Sequence, residues 1–316
     1  MTSGPRSMTS ATSTTHEPGS PAPDPMSAPA ATIGRASPTP GKPREAEEWV
    51  DEYIHRPLAS LLIRLLVRTP ITPNQVTLIS ALLGAASGFA MVRGVESPRW
   101  MVGSAVLLLL SVVLDCADGQ LARAKGTSST YGTVLDGIAD YVVGVSVGLG
   151  ATWFAVGTYH SGWYALLGLG GVASIVLHSA LFDNAKTRYI ARARTGYAER
   201  EEDLDKVERD RGAAWSERRL RDALLLTLYL QYTRAQQAAL RIRPADDPDL
   251  FRARYSGRMR LWTWLGSGTH FALAWLAVGL AAIWPAAIPA YLVLHLTLFN
   301  LLLGLLVLRE KRVGMA

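Results

Sequence analysis

From Thr72 to Val92 the chain carries no charged side chain. At 1.5 Å per residue a helix of that length crosses the hydrocarbon core of a bilayer, about 30 Å thick. The same pattern predicts further spans at about Trp100 to Arg123, Gly132 to Thr158 and Gly162 to Phe182. Leu261 to Leu308 holds no Lys, Arg, Asp or Glu and is long enough for two crossings, with Pro285 and Pro289 marking the turn between them. The prolines of Thr69-Pro70-Ile71-Thr72-Pro73-Asn74 suit the start of the first span. Ahead of it, between Trp49 and Arg68, Ile54, Leu58, Leu61, Leu62, Leu65 and Leu66 recur at helical spacing while His55, Arg56, Arg64 and Arg68 add basic character. That is the pattern of an amphipathic helix lying at the membrane interface with its cations reaching toward headgroups. The expected fold is an all-α integral membrane protein with six transmembrane helices and an N-terminal interfacial amphipathic helix.

The remaining sequence divides around these elements. Residues 1–45 are rich in Ser, Thr, Pro, Ala and Gly and poor in large apolar side chains, so they are expected to stay disordered. They lack an apolar core of signal-peptide length, which argues against a cleaved secretion signal. Residues 46–70 hold the interfacial helix, 71–186 the first four spans, and 259–316 the last two with a basic end. Between them, 187–258 is a charged insertion. Glu199 to Arg243 reads mostly as helix, mixed in charge and then apolar at Leu220, Leu224, Leu225, Leu228 and Leu230. A solvated helical hairpin at the membrane surface is expected there, with a net positive charge that attracts anionic lipid.

Charged residues make up only 18% of the chain, and they are segregated rather than scattered. Segregation sets the orientation. With the amino terminus inside, the outer loops hold only Arg93 and Arg99, whereas the inner segments hold Arg64, Arg68, Lys125, Lys186, Arg188, Arg192, Arg194, Arg258, Arg260, Arg309, Lys311 and Arg312. A multi-pass protein of the cell membrane with both termini in the cytoplasm is expected. The sole cysteine, Cys116, cannot form an internal disulfide or a zinc cluster and reads as a packing residue. His178, His270, His295 and Asn300 lie within spans and read as interhelical hydrogen-bonding groups.

Four carboxylates break the apolar pattern: Asp115, Asp118, Asp136 and Asp140. An ionisable group at membrane depth costs roughly 2.5 kcal/mol or more, so it normally faces a wet cavity, a partner or a metal. At about 100° per residue, Asp115, Asp118, Gly119 and Ala122 share one helical face, as do Gly132, Asp136 and Asp140. The polar turn from Lys125 to Thr130 makes the two helices antiparallel neighbours, so the acidic faces can close on one pocket, with the small residues leaving room for a ligand. Oxygen-rich acids suit Mg²⁺ or Mn²⁺ bridging phosphate oxygens. Two such ions about 4 Å apart could neutralise charge on an attacked phosphoryl group and its leaving group. Asp115, Asp118 and Asp136 are the expected ligands, with Asp140 as a fourth; the acidic pocket would face the cytoplasm.

The string DCADGQLARAKGTSSTYGTVLDGIAD fits D-x2-D-G-x2-A-R-x8-G-x3-D-x3-D without a mismatch, and in this it resembles the CDP-alcohol phosphotransferase family. The likeness extends over the six-helix pattern, roughly residues 50 to 310. It implies a membrane enzyme with two divalent ions that moves a substituted phosphoryl group from a CDP-linked donor to an alcohol and releases CMP, and it suggests a homodimer. It further implies that Asp140 is the base for the acceptor hydroxyl, and that Asn74 and Thr77 lie near the donor, where helix capping is the competing role for Asn74. Gly119, Ala122 and Gly132 would let the donor approach, with close helix packing as the competing role; Arg123 would either neutralise donor phosphate or brace the acids.

For the acceptor, Lys186, Arg188, Arg258 and Arg260 are candidates to grip inositol phosphate or glycerol phosphate, against the plainer role of setting topology. The segment HRPLASLLIRLLVRTPITPNQVT looks like the bacterial and archaeal inositol-phosphate-using branch, and DGQLAR differs from the more basic version in choline and ethanolamine phosphotransferases. This points to phospholipid synthesis from CDP-diacylglycerol, with no nucleic-acid partner. One alternative is a CDP-inositol donor giving a di-inositol phosphate. Another is a cation transporter, which would need polar groups continuing to the outer face; those halves of the spans contain almost no ionisable residues.

Overall fold

A computed structural model of the protein describes residues 43–193, 199–239 and 247–312; the expectation for residues 1–42 lies outside these. The described residues are helical and include no strand. A π-helical turn, Asp51–His55, leads into α1 (Arg56–Leu66). Then follow α2 (Pro73–Gly94), α3 (Pro98–Ala124), α4 (Thr130–Tyr159) and α5 (Trp163–Ala193). The insertion forms α6 (Glu199–Ser216) and α7 (Leu220–Ala239). The chain closes with α8 (Pro248–Trp262), α9 (Ser267–Ala281), α10 (Ala287–Leu294), a π-helical turn His295–Phe299, and α11 (Asn300–Arg312).

Five helical stretches are long and apolar enough to cross a membrane, and a sixth is supplied if α8 and α9, bent by 41° at Gly266, count as one broken span. Their outward residues are lipid-like in character: Leu82, Phe89, Leu149 and Leu169 are each more than 60% exposed. This is an all-α multi-pass membrane protein. On α1, Leu58, Leu61 and Leu65 form an exposed apolar stripe, while Ala59, Leu62 and Ile63 pack against Val113, Cys116 and Ala117 of α3.

Two boundaries differ from the sequence pattern. The helix that carries the fourth span does not stop near Phe182 but continues as α5 to Ala193, because the polar stretch after Phe182 contains no Gly or Pro to end it. Pro289 is not in the final turn; it occupies the first turn of α10, where its missing N–H costs nothing, and only Pro285 lies between the helices.

Helix α2 is sandwiched between α3 and α4. Lipid offers no hydrophobic drive to helix pairing, so close packing and hydrogen bonds between helices carry it. Toward α3 the bonds are reciprocal: Ser80 Oγ donates to Ser111 O (3.0 Å) and Ser111 Oγ to Ser80 O (2.8 Å). Two turns on, Ser87 and Ser104 repeat the exchange at 3.0 and 2.9 Å. Toward α4 the approach is backbone on backbone, since a Cβ at Gly88 would collide with Ser146 O and one at Gly150 with Gly88 O. These contacts hold the start of α2 beside the α3–α4 turn.

An acidic N-terminal segment straps the other half. Glu45 Oε1 accepts from Tyr189 Oη (2.7 Å) and Arg252 Nε (3.0 Å), and Glu47 pairs with Arg56. Glu48 is buried; its carboxylate accepts from Thr269 N (2.8 Å) and Thr269 Oγ1 (3.1 Å) in the first turn of α9. Burial, with Asp51 alongside, pushes the Glu48 carboxyl up to about 7.

Candidate active site

The acidic faces meet at the turn joining α3 to α4. Helix α3 ends in a Schellman motif: Thr127 N donates to Ala122 O (2.9 Å) and Gly126 N to Arg123 O (3.2 Å), with Gly126 at φ 63°, a left-handed conformation glycine adopts without strain. Helix α4 begins at Ser129, whose Oγ accepts from Gly132 N (3.0 Å). Helix α2 begins with a capping box between Thr72 and Gln75. Three helix ends are thus capped around one location. Lys125 ties them together, its Nζ donating to Thr69 O (2.8 Å) and Ile71 O (2.7 Å) just ahead of α2.

Within this frame one carboxylate oxygen each from Asp115, Asp118 and Asp136 lies within 4.8 Å of the others. Asp140 stands one turn further along α4 from Asp136, on the same helical face. Two unit charges 4 Å apart repel by about 4 kcal/mol at an effective dielectric of 20. Such a group therefore requires cations or shared protons. Hard oxygen donors at this separation fit Mg²⁺ or Mn²⁺, and the space beside Gly119 is open: a Cβ there would touch only Arg123 Nη1, 3.6 Å away. Arg123 is exposed, so its guanidinium lies back over Gly119, within reach of either role considered for it.

Thr77 and Asn74 reach the site from α2. Thr77 Oγ1 donates to Asp118 Oδ2, and both residues are buried, so Thr77 orients one of the acids. Asn74 Oδ1 lies 3.3 Å from where a Cβ of Gly132 would sit, which places its amide against the start of α4. Ala122 is half-buried on the same face. Sequence reasoning used Lys125 only for topology and missed its clamp; Gly126, ideal for a helix C-terminus, was the available sign that α3 stops there.

The four basic acceptor candidates do not converge. Arg188 and Arg258 line a cleft together with Arg192, Tyr189, Tyr255 and Glu310. Arg192 Nε and Arg258 Nη1 are buried without a hydrogen-bond partner among the described residues. Lys186 Nζ lies 5.2 Å from the Phe182 ring centroid, with the Glu48 charge nearby. Arg260 stacks on Trp49 at 5.0 Å and donates to Glu47 O (3.3 Å), so it belongs to the strap. Periodicity singled out neither Arg192 nor Glu310. The intramembrane histidines hydrogen-bond between helices: His178 Nε2 to Asn300 Oδ1 (3.1 Å) and His295 Nε2 to His270 Nδ1 (3.0 Å).

Residues 70–206, which contain α2 to α5 and every acid of the pocket, match the family model described as CDP-alcohol phosphatidyltransferase. The chain carries a CDP-alcohol phosphatidyltransferase domain. Among curated proteins, it is 33% identical over 108 residues to a phosphatidylinositol phosphate synthase of Corynebacterium glutamicum, covering 34% of this chain and 46% of that protein. It is 34% identical over 144 residues to a bifunctional IPC transferase and DIPP synthase of Thermococcus kodakarensis, covering 44% of this chain and 31% of the relative. A phosphatidylinositol phosphate synthase of Mycobacteroides abscessus is 33% identical over 102 residues, 32% of this chain and 43% of the relative. The chain spans less than half the length of these relatives.

Proposed function

We propose that the protein transfers a substituted phosphoryl group from a CDP-linked lipid, CDP-diacylglycerol, to the hydroxyl of a phosphorylated alcohol of the inositol phosphate class, releasing CMP. The observation that carries this reading is the set of Asp115, Asp118 and Asp136 oxygens within 4.8 Å of one another, with open space at Gly119 on the same helical face. These acids, with Asp140, would hold Mg²⁺ or Mn²⁺, two per site. Bound there, the ions supply Lewis-acid neutralisation of pyrophosphate charge. Thr77 keeps Asp118 aimed into the pocket, and Gly119, Ala122 and Gly132 admit the donor against the helix backbone. Asp140 takes the proton of the attacking hydroxyl as the new P–O bond forms and the bond to CMP breaks. Arg192 Nε and Arg258 Nη1, without a hydrogen-bond partner among the described residues, suit the phosphate of the acceptor, and Arg188 lines the same cleft.

The relatives named phosphatidylinositol phosphate synthase support an inositol phosphate acceptor. The relative named bifunctional IPC transferase and DIPP synthase favours a second reading, with CDP-inositol as donor. The excess of basic residues in the segments flanking the acids supports a pocket facing the cytoplasm of a cell membrane, and the family likeness supports a homodimer. The test is to incubate purified protein with radiolabelled CDP-diacylglycerol or CDP-inositol, Mg²⁺ and a panel of alcohols, and to identify products by mass spectrometry. Metal-dependent CMP release that Asp140→Asn abolishes is the expected result. Cation flux without CMP release would refute the proposal.

A further inference from the structure

Helix α3 has a second chemically loaded face. Val113, Cys116, Ala117 and Gln120 follow the spacing of one helical stripe, turned away from Asp115 and Asp118 and toward α1 and the π-helical turn before it. There one ligand atom each of Asp51, His55 and Cys116 lies within 4.8 Å of the others. His55 is completely buried; its Nδ1 is 2.8 Å from Asp51 Oδ1, and its Nε2 has no hydrogen-bond partner among the described residues. Nδ1, the ring nitrogen on the Asp51 side, is the atom that can share a ligand with Asp51 and Cys116, its proton moving to Nε2.

We propose that Asp51, His55 and Cys116 form a site for a thiophilic, zinc-type divalent ion that joins the interfacial helix to the outer side of α3. The donor set is the argument. Thiolate and imidazole select zinc-like ions over Mg²⁺, while the all-oxygen cluster on the other face of α3 has the opposite preference. Tetrahedral zinc places neighbouring ligand atoms roughly 3.3–3.7 Å apart, so the three groups need to close by no more than about 1.5 Å. Asp51 and Cys116 are each partly exposed, which leaves a route for the ion, and its entry displaces the thiol proton to water. Arg56, the adjacent cation, is already paired with Glu47. A lone cysteine reads as packing because the sequence does not show that a histidine and an aspartate from a segment sixty residues earlier lie against it.

The test uses the full-length protein in nanodiscs, stripped with chelator and reloaded with Zn²⁺ or Co²⁺ alone in millimolar Mg²⁺, which occupies the oxygen site. One zinc per chain is expected to remain, and Co²⁺ should give a thiolate-to-cobalt charge-transfer band. Cys116→Ser and His55→Gln should each weaken zinc binding roughly tenfold or more, whereas Asp136→Asn should retain both the ion and the band. Absence of the band in the unaltered protein, its persistence in Cys116→Ser, or loss of the zinc to Mg²⁺ would each overturn the site. The unaltered protein's cobalt spectrum decides the matter even if a variant fails to fold.

Discussion

Replacing Thr77 by Val removes one hydroxyl and preserves the volume of a buried side chain. In the folded protein that hydroxyl is the hydrogen-bond donor to Asp118 Oδ2, and Asp118 is only 5% exposed, so water does not readily replace it. A hydrogen bond to a charged group contributes about 1.5–3 kcal/mol. At 1.4 kcal/mol per factor of ten, that is roughly a 10- to 150-fold change. The range agrees with the 10- to 100-fold typical of groups that orient a metal ligand. The assay is the Mg²⁺ dependence of CMP release, measured beside Thr77→Ser, which keeps the hydroxyl. Thr77→Val should require at least ten times more Mg²⁺ for half-maximal rate, and Thr77→Ser should stay within about threefold of the unaltered protein. If both variants lose the same amount, the methyl group and its packing matter rather than the hydroxyl, and the orienting role assigned to Thr77 is wrong.

Three further outcomes follow from the geometry. Gly88→Ala drives a Cβ into Ser146 O, so the α2–α4 contact must open; melting in detergent should show a loss of at least 1–3 kcal/mol, and an unchanged melting temperature would contradict the close approach. Lys125→Met leaves the Thr69 and Ile71 carbonyls without their charged donor, and CMP release should fall at least tenfold with less change in melting, since the loss is local to the capped helix ends. Glu48 binds its proton more tightly folded than unfolded, so between the ordinary carboxylate range and about 7 its contribution to stability falls as pH rises. Glu48→Gln should flatten that slope in melting temperature against pH; an identical slope in both proteins would show that another group is responsible.

Much of the architecture was legible because it is local. A bilayer demands runs of a certain length, and a helical period of 3.6 residues decides which side chains share a face, so both the spans and the two acidic faces could be read from spacing. The α3–α4 turn, marked by Gly126 and Ser129, then had only one way to bring those faces together over a short connection. The boundaries at which helix and hydropathy part have local causes as well. Hydropathy ends a span where charge begins, but a helix ends only where its backbone is broken, and nothing between Phe182 and Ala193 breaks α5.

The sequence by itself determined that this chain is a bundle of membrane helices and that four aspartates stand on two adjoining helical faces, because hydrophobic length and helical period are properties of neighbours in the chain. Only the tertiary structure decided what those faces meet. It set Thr77 against Asp118, 41 residues away. It also divided the basic residues between a cleft at Arg188 and Arg258 and a strap at Arg260, and brought His55 to Cys116. Those pairings depend on how helices pack in three dimensions, and with side chains from distant segments no periodicity records which will touch.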